Sequence, residues 1–237
     1  MNEPTQPQLG DHLHAQTVAM LEQICTTGVG YGRAVCGPAD RMCYVLDDTA
    51  ETGRLYAGEV IASGVRPNGE ILWVVARKHW IAPEISRALA VWEPDVQWIC
   101  YYEHSTGVVL CTWDEEWKFL ITESASSGHI AFPKGHLEDT EDLDAAIRRE
   151  LCEEVHITQF TRIEGFRQDG FAYTAKGMHK DLTYFLGVFN LADNEIRLQE
   201  EEVSRYWLAP YAQAFTLVNT PFDRYVVDQA HQKLSTL

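Results

Sequence analysis

The chain is poor in basic residues. Nineteen lysines and arginines face 35 aspartates and glutamates over 237 residues, which leaves a formal charge of −16 at pH 7. The shortage is shared along the chain, with 7 basic against 12 acidic residues up to Val96 and 12 against 23 beyond it. Both halves therefore repel polyanions, and a long nucleic acid is disfavoured as a partner. No apolar run is long enough to span a bilayer. The first ten residues are polar and contain Pro4 and Pro7, and Asp11, His12 and His14 follow, so no signal peptide is read there. The expectation is a cytoplasmic protein without a membrane partner. The six cysteines (Cys25, Cys36, Cys43, Cys100, Cys111, Cys152) lack the paired short spacing of a zinc site and read as buried thiols. Internal repeats and low-complexity tracts are absent.

What is present is enough to bury a full core. The chain is 46% hydrophobic with seven tryptophans, which allows one large or two modest domains. The break Trp92-Glu93-Pro94-Asp95 favours a small α+β module over residues 1–96 and a second domain over 97–237. In the first part, Leu13, Val18, Leu21 and Ile24 suggest an amphipathic helix over 11–26, followed by a glycine-rich loop, Gly28-Val29-Gly30-Tyr31-Gly32. That cluster lacks the G-x-G-x-x-G spacing of a dinucleotide-binding loop. Segments 55–62 and 70–76, separated by Arg66-Pro67-Asn68-Gly69, read as a hairpin turning on Asn-Gly. A short helix is expected over 83–92. Trp73, Trp80 and Trp92 read as core residues or, in the sharper alternative, as anchors for a partner or for a homodimer built through this module.

In the second part, strands are expected over 107–112, 118–123, 160–166, 182–189 and 204–208, with a closing helix over 223–234 behind Pro221. One stretch, 135–157, reads as a loop feeding a helix that runs from about Thr140 or Glu141 to Val155. Leu143, Ile147, Leu151 and Val155 form its inward stripe at i+4 spacing. Glu150 and Glu154 project to nearly the same side as Leu143, and Glu153 lies next to Glu150. Carboxylates on the apolar side need a positive partner, because an unpaired buried charge costs several kcal/mol. Arg149 reaches Glu153 at i+4 but is one guanidinium facing three acids, which points to a hard divalent cation. The plainer alternative is a solvated charged face.

The spacing around that helix resolves the choice by resemblance. Gly135, five residues, Glu141, seven residues, then Arg149-Glu150-Leu151-Cys152-Glu153-Glu154 and a hydrophobic Ile157 resemble the signature of the Nudix hydrolases. His156 departs from it, standing where the family has a glycine in left-handed conformation. The resemblance implies an α+β fold, a Nudix-like α/β/α sandwich with a mixed sheet over about 98–237, preceded by the small α+β module. It implies Mg2+ or Mn2+ as cofactor, held by Glu150, Glu153 and Glu154 with the Gly135 carbonyl as a further ligand. Arg149 would orient the carboxylates and Glu141 would brace the loop.

Flanking residues narrow the resemblance to the asymmetrical dinucleoside tetraphosphate hydrolases. Ala131-Phe132-Pro133-Lys134-Gly135-His136 resembles their F-P-K-G-H run, with Lys134 and His136 as substrate contacts. Lys180 and Tyr184 stand at the spacing of their phosphate-binding lysine and base-stacking tyrosine. The segment 201–208 resembles their acidic stretch before a W-L pair, with Glu201 as an extra metal ligand or base and Glu200 and Glu202 as rivals. Plainer readings are a solvent-facing Lys180 and a core Tyr184. A small nucleotide travelling with its cation escapes much of the repulsion described above. The implied activity is hydrolysis of a nucleoside polyphosphate, foremost diadenosine tetraphosphate to ATP and AMP. The alternatives are a pyrophosphatase of modified nucleoside triphosphates or of nucleic-acid 5′ ends, and a nucleotide-binding sensor without turnover.

Overall fold

The computed structural model describes residues 7–21, 31–36, 41–47, 55–138, 141–173 and 178–237. The chain divides into two compact units, Met1–Glu103 with Tyr173–His179, and His104–Ala172 with Lys180–Leu237.

In the first unit, strands β1 (His12–Leu21), β2 (Tyr31–Cys36), β3 (Arg41–Leu46), β4 (Leu55–Val65) and β5 (Ile71–Ala76) are followed by helix α1 (Ala82–Leu89) and strand β6 (Gln97–Cys100). The order β1-β2-β3-β5-β4 closes on itself because β1 also pairs with β4, and β6 extends from β4. Only β3 and β5 run parallel; the other pairs are antiparallel, as in a five-stranded Greek-key barrel. Strand alternation puts Cys43, Val45, Trp73 and Val75 in one cluster. Tyr44, Leu46, Leu72 and Val74 fall in another, covered by Ile85, Ala88 and Leu89 of α1. The Asn68-Gly69 turn forms as expected, with Gly69 at φ +85° and its N–H donating to the Arg66 carbonyl at 2.8 Å. Buried Glu93 accepts from Arg66 Nε at 2.9 Å and from the Tyr44 hydroxyl, which satisfies a charge that would otherwise be costly.

The helix expected over 11–26 is corrected: residues 12–21 are a strand, and 22–26 lie outside the described residues. The segment carries two periods, since Leu13, Ala15, Thr17, Ala19 and Leu21 also alternate. Pairing with β2 on one side and β4 on the other selects the extended form. Of the glycine cluster, residues 28–30 lie outside the described residues. Trp73 is buried and donates to the Pro7 carbonyl at 3.2 Å, while Trp80 and Trp92 are half-buried against the core.

In the second unit the elements are β7 (Tyr102–Asp114), β8 (Glu116–Ser124), β9 (Ile130–Ala131), β10 (Lys134–His136), α2 (Leu143–Val155), β11 (Thr161–Tyr173), β12 (His179–Val188), β13 (Val203–Pro210), α3 (Tyr211–Leu217) and α4 (Pro221–Leu234). The sheet runs β11-β12-β7-β8-β13, with β10 on β7 and β9 on β8. On one face Val108, Leu110, Leu120 and Phe185 pack against Ile147, Leu151 and Val155 of α2. On the other, Val109, Phe119, Ile121 and Leu186 pack against α3 and α4 through Ala214, Val226, Val227 and Ala230. Two helical layers around one sheet give the α/β/α sandwich.

Helix α2 starts at Leu143 rather than near Thr140 or Glu141. Asp142 caps it, its side chain accepting from Ala145 N at 2.8 Å, and an Asx cap competes well with one more helical turn. At the other end His156 takes φ +60°, and the N–H of Ile157 reaches the Leu151 carbonyl at 3.0 Å. The left-handed exit therefore forms without glycine. Cys43, Cys100 and Cys111 are buried, whereas Cys152 is exposed on the outer side of α2.

Candidate functional site

A cleft of about 440 Å³ opens where α2 meets β10, the end of β8 and the segment before β13. Gly135 sets its geometry. Paired with Thr106 of β7, it lies so close to α2 that a Cβ built on it would stand 1.8 Å from the Glu150 carboxylate. A side chain there would force the Glu150 carboxylate to move.

That fit buries Glu150, which is 7% exposed. Burial raises its carboxyl above the ordinary range, with Arg149 pulling the other way. One turn on, Glu154 accepts from Lys134 N at 3.2 Å, and its carboxyl is pushed up to about 8 by burial and by Glu150 and Glu202 nearby, against the pull of Lys134. Glu150, Glu154 and Glu202 each offer a carboxylate oxygen, and the three oxygens lie within 4.8 Å of one another. Ionised together at that separation, the three acids would repel one another, and either a retained proton or a shared cation relieves this. An all-oxygen donor set against a glycine-lined wall suits a hard divalent ion.

Glu202 reaches the cluster because its segment is tied to the end of α2. Arg197 N donates to the Val155 carbonyl and Gln199 N to the Glu154 carbonyl, both at 3.2 Å, filling acceptors that a helix end leaves open. Glu202 N then turns back to the Gln199 carbonyl at 2.9 Å. Glu201 lines the cleft and is exposed, but it is not part of the three-carboxylate group. Glu153 also lines the cleft and stays half exposed, accepting from Arg149 Nη1 at 3.1 Å. Sequence spacing singles out Glu150, Glu153 and Glu154; the folded chain gathers Glu150, Glu154 and Glu202.

Arg149 is the clasp between loop and helix. It donates to Glu141 through Nη2 at 2.7 Å and Nε at 3.2 Å, to the His136 carbonyl at 2.9 Å and to Glu150 at 2.7 Å. The guanidinium holds the Glu141 carboxyl below its usual range. A planar fork satisfied on several sides has little freedom, so it fixes the carboxylates it touches.

Lys134, His136 and Lys180 line the same cleft. With them stands His129, a residue that sequence reasoning missed because nothing in its local pattern marks it. Its Nε2 lies 3.8 Å from Asp223 Oδ2. Burial first, then Lys134 and Lys180, lower its pKa, so the ring is neutral at pH 7 despite Asp223.

Tyr184 is a correction. It is 1% exposed, with the Phe132 ring edge-on at 5.3 Å and the Phe222 ring tilted over it at 6.0 Å. On an inward position of β12 its ring is core, and no face is open to a base. Lys180, four residues earlier, does reach the cleft.

Comparison with known proteins agrees with this geometry. The family model described as "NUDIX domain" matches residues 103–229. The asymmetrical bis(5′-nucleosyl)-tetraphosphatase of Mus musculus is 40% identical over 96 residues, covering 38% of this chain and 63% of that protein. Its Rattus norvegicus counterpart is 38% identical over the same shares. The chain thus spans less than two thirds of these curated relatives. Among solved structures, a C. elegans Ap4A hydrolase in a binary complex superposes with a TM-score of 0.53 at 25% identity, covering 57% of this chain and 99% of that one.

Proposed function

The chain belongs to the NUDIX family, and from that membership we propose that its cleft hydrolyses a nucleoside polyphosphate with a bound Mg2+ or Mn2+. The observation that carries the reading is the meeting of Glu150, Glu154 and Glu202 in one cleft with Lys134, Lys180 and His129. Carboxylates and cationic side chains lining one cleft are the arrangement that a phosphate chain joined to a divalent ion requires.

Glu150, Glu154 and Glu202 would hold the ion, with the Gly135 carbonyl as a further donor, and the ion would supply charge neutralisation for the phosphates and a more acidic water. Lys134, Lys180 and His136 receive the phosphates, and neutral His129 donates or accepts without adding charge. Arg149 and Glu141 keep the carboxylates aimed. To Glu153 and Glu201, which also line the cleft, we assign the proton released by the attacking water.

Diadenosine tetraphosphate, cut to ATP and AMP, is the substrate we favour. The supports are the similarity to the rodent tetraphosphatases at 40% and 38% identity and the presence of Lys134 and Lys180 in the cleft lining. The burial of Tyr184 favours a second reading, a pyrophosphatase of nucleoside triphosphates or of nucleic-acid 5′ ends, because it leaves the expected base platform inside the core. A sensor that binds without turnover has less support, since all the candidate carboxylates are present. Pure protein incubated with magnesium and a panel of nucleotides decides among them. ATP and AMP from diadenosine tetraphosphate are expected; release of pyrophosphate from triphosphates alone would favour the second reading, and no product from any substrate would sink the proposal.

The first unit has the contacts of a separate module, and we assign it no part in hydrolysis. Among the described residues no helix is long and apolar enough to cross a membrane.

A further inference from the structure

Part of the cleft lining is neither acidic nor basic. Strand β8 ends at Ser124, and the chain turns back through Ser126 to His129; the two serine Oγ atoms lie 3.2 Å apart, and both residues line the cleft. The turn is well tied. Ser124 N donates to the His129 carbonyl and Gly128 N to the Ser124 carbonyl, both at 2.9 Å, with Gly128 at φ +66°. Ala125 N donates to the Glu202 carbonyl at 2.8 Å, so the turn is anchored to the segment that supplies the third carboxylate. Ser127 serves the turn itself, its Oγ accepting from His129 N at 3.3 Å. Among the described residues, the Ser124 and Ser126 hydroxyls have no side-chain partner beyond each other.

Two hydroxyls in contact share one hydrogen between them. The pair is left with one O–H to give and lone pairs on both oxygens. A phosphate gains more from the cationic side chains, where charge assists each hydrogen bond. A neutral donor and acceptor side by side match a group that itself carries two neighbouring hydroxyls. We propose that Ser124 and Ser126 bind the 2′,3′-diol of a ribose and make the cleft selective for ribonucleotides over deoxyribonucleotides. The inference rests on the cleft being a nucleotide site, and it places the sugar beside the Glu202 segment.

Titration calorimetry with ATP, 2′-deoxy-ATP and 3′-deoxy-ATP in the presence of magnesium tests it on the full chain. The unmodified protein should bind ATP about five- to tenfold more tightly than either deoxy form, the worth of one hydrogen bond. Ser126→Ala and Ser124→Ala, each made singly, should lose that preference, ATP affinity falling to that of the deoxy nucleotides. Equal affinity of the unmodified protein for the three ligands, no binding of any, or a preference that survives both substitutions would overturn the assignment. Hydrolysis of diadenosine tetraphosphate by the same preparation is measured separately, so failure of the sugar assignment is distinguishable from failure of the hydrolase reading.

Discussion

A methyl group on Gly135 would stand 1.8 Å from the carboxylate of Glu150, so loop and helix interlock where one residue has no side chain. Glu150 is buried by that contact, and Arg149 reaches the His136 carbonyl across it.

Gly135→Ala should therefore displace Glu150 or the loop. We expect kcat/KM to fall about 10- to 100-fold, as when a metal site loses its support, and magnesium affinity to fall with it. Both are read by titration of magnesium in the turnover assay, with circular dichroism to show that the fold persists. Unchanged magnesium dependence would contradict the role given to this contact.

Glu202→Gln should cost more than Glu201→Gln. The first removes a charge from the three-carboxylate group and should lower turnover at least about tenfold, whereas the second changes a rim residue. Steady-state kinetics at saturating magnesium rank the two. The reverse order would place Glu201 on the ion.

Arg149→Lys keeps the charge and loses the fork. A lysine cannot hold Glu141, Glu150 and the His136 carbonyl at once, so kcat should fall about 10- to 100-fold with little change in overall fold. Thermal melting beside kinetics separates this from simple destabilisation.

The metal-free protein should become less stable as pH rises. The Glu154 carboxyl, ordinarily at 4.5, is pushed up to about 8 in the folded chain, so between those values the folded state holds a proton that the unfolded state releases. Stability then falls with rising pH across that window, and the full cost is present above it. Urea melts in chelator at pH 5 and pH 8 should show the decline, Glu154→Gln should flatten it, and added magnesium should reverse it at pH 8. A stability that rises across the window in the unmodified protein but not in Glu154→Gln would contradict the sign.

Much of the second unit is legible in the chain. The five expected strands and the closing helix appear as β7, β8, β11, β12, β13 and α4, because alternation and polar turns are local signals. Their ends are less so: β11 runs on to Tyr173, carried past the expected 166 by pairing in the sheet. The barrel of the first unit was hidden by its ambiguous first segment, where a helical period and an alternating one coexist over 12–21, and only strands distant in sequence select between them.

The same division holds within the cleft. Local spacing was enough for the signature helix, its inward stripe and the carboxylates Glu150, Glu153 and Glu154 beside it, since these depend on neighbours one or two turns away, and the resemblance to the Nudix signature supplied Arg149 and Gly135. Only the tertiary structure brought Glu202 beside Glu150 and Glu154, put His129 in the cleft with the lysines, and placed Tyr184 in the core. Those outcomes depend on which segments end beside one another across a sheet, and backbone hydrogen bonds such as Gln199 to Glu154 set that over distances in sequence that no local period can span.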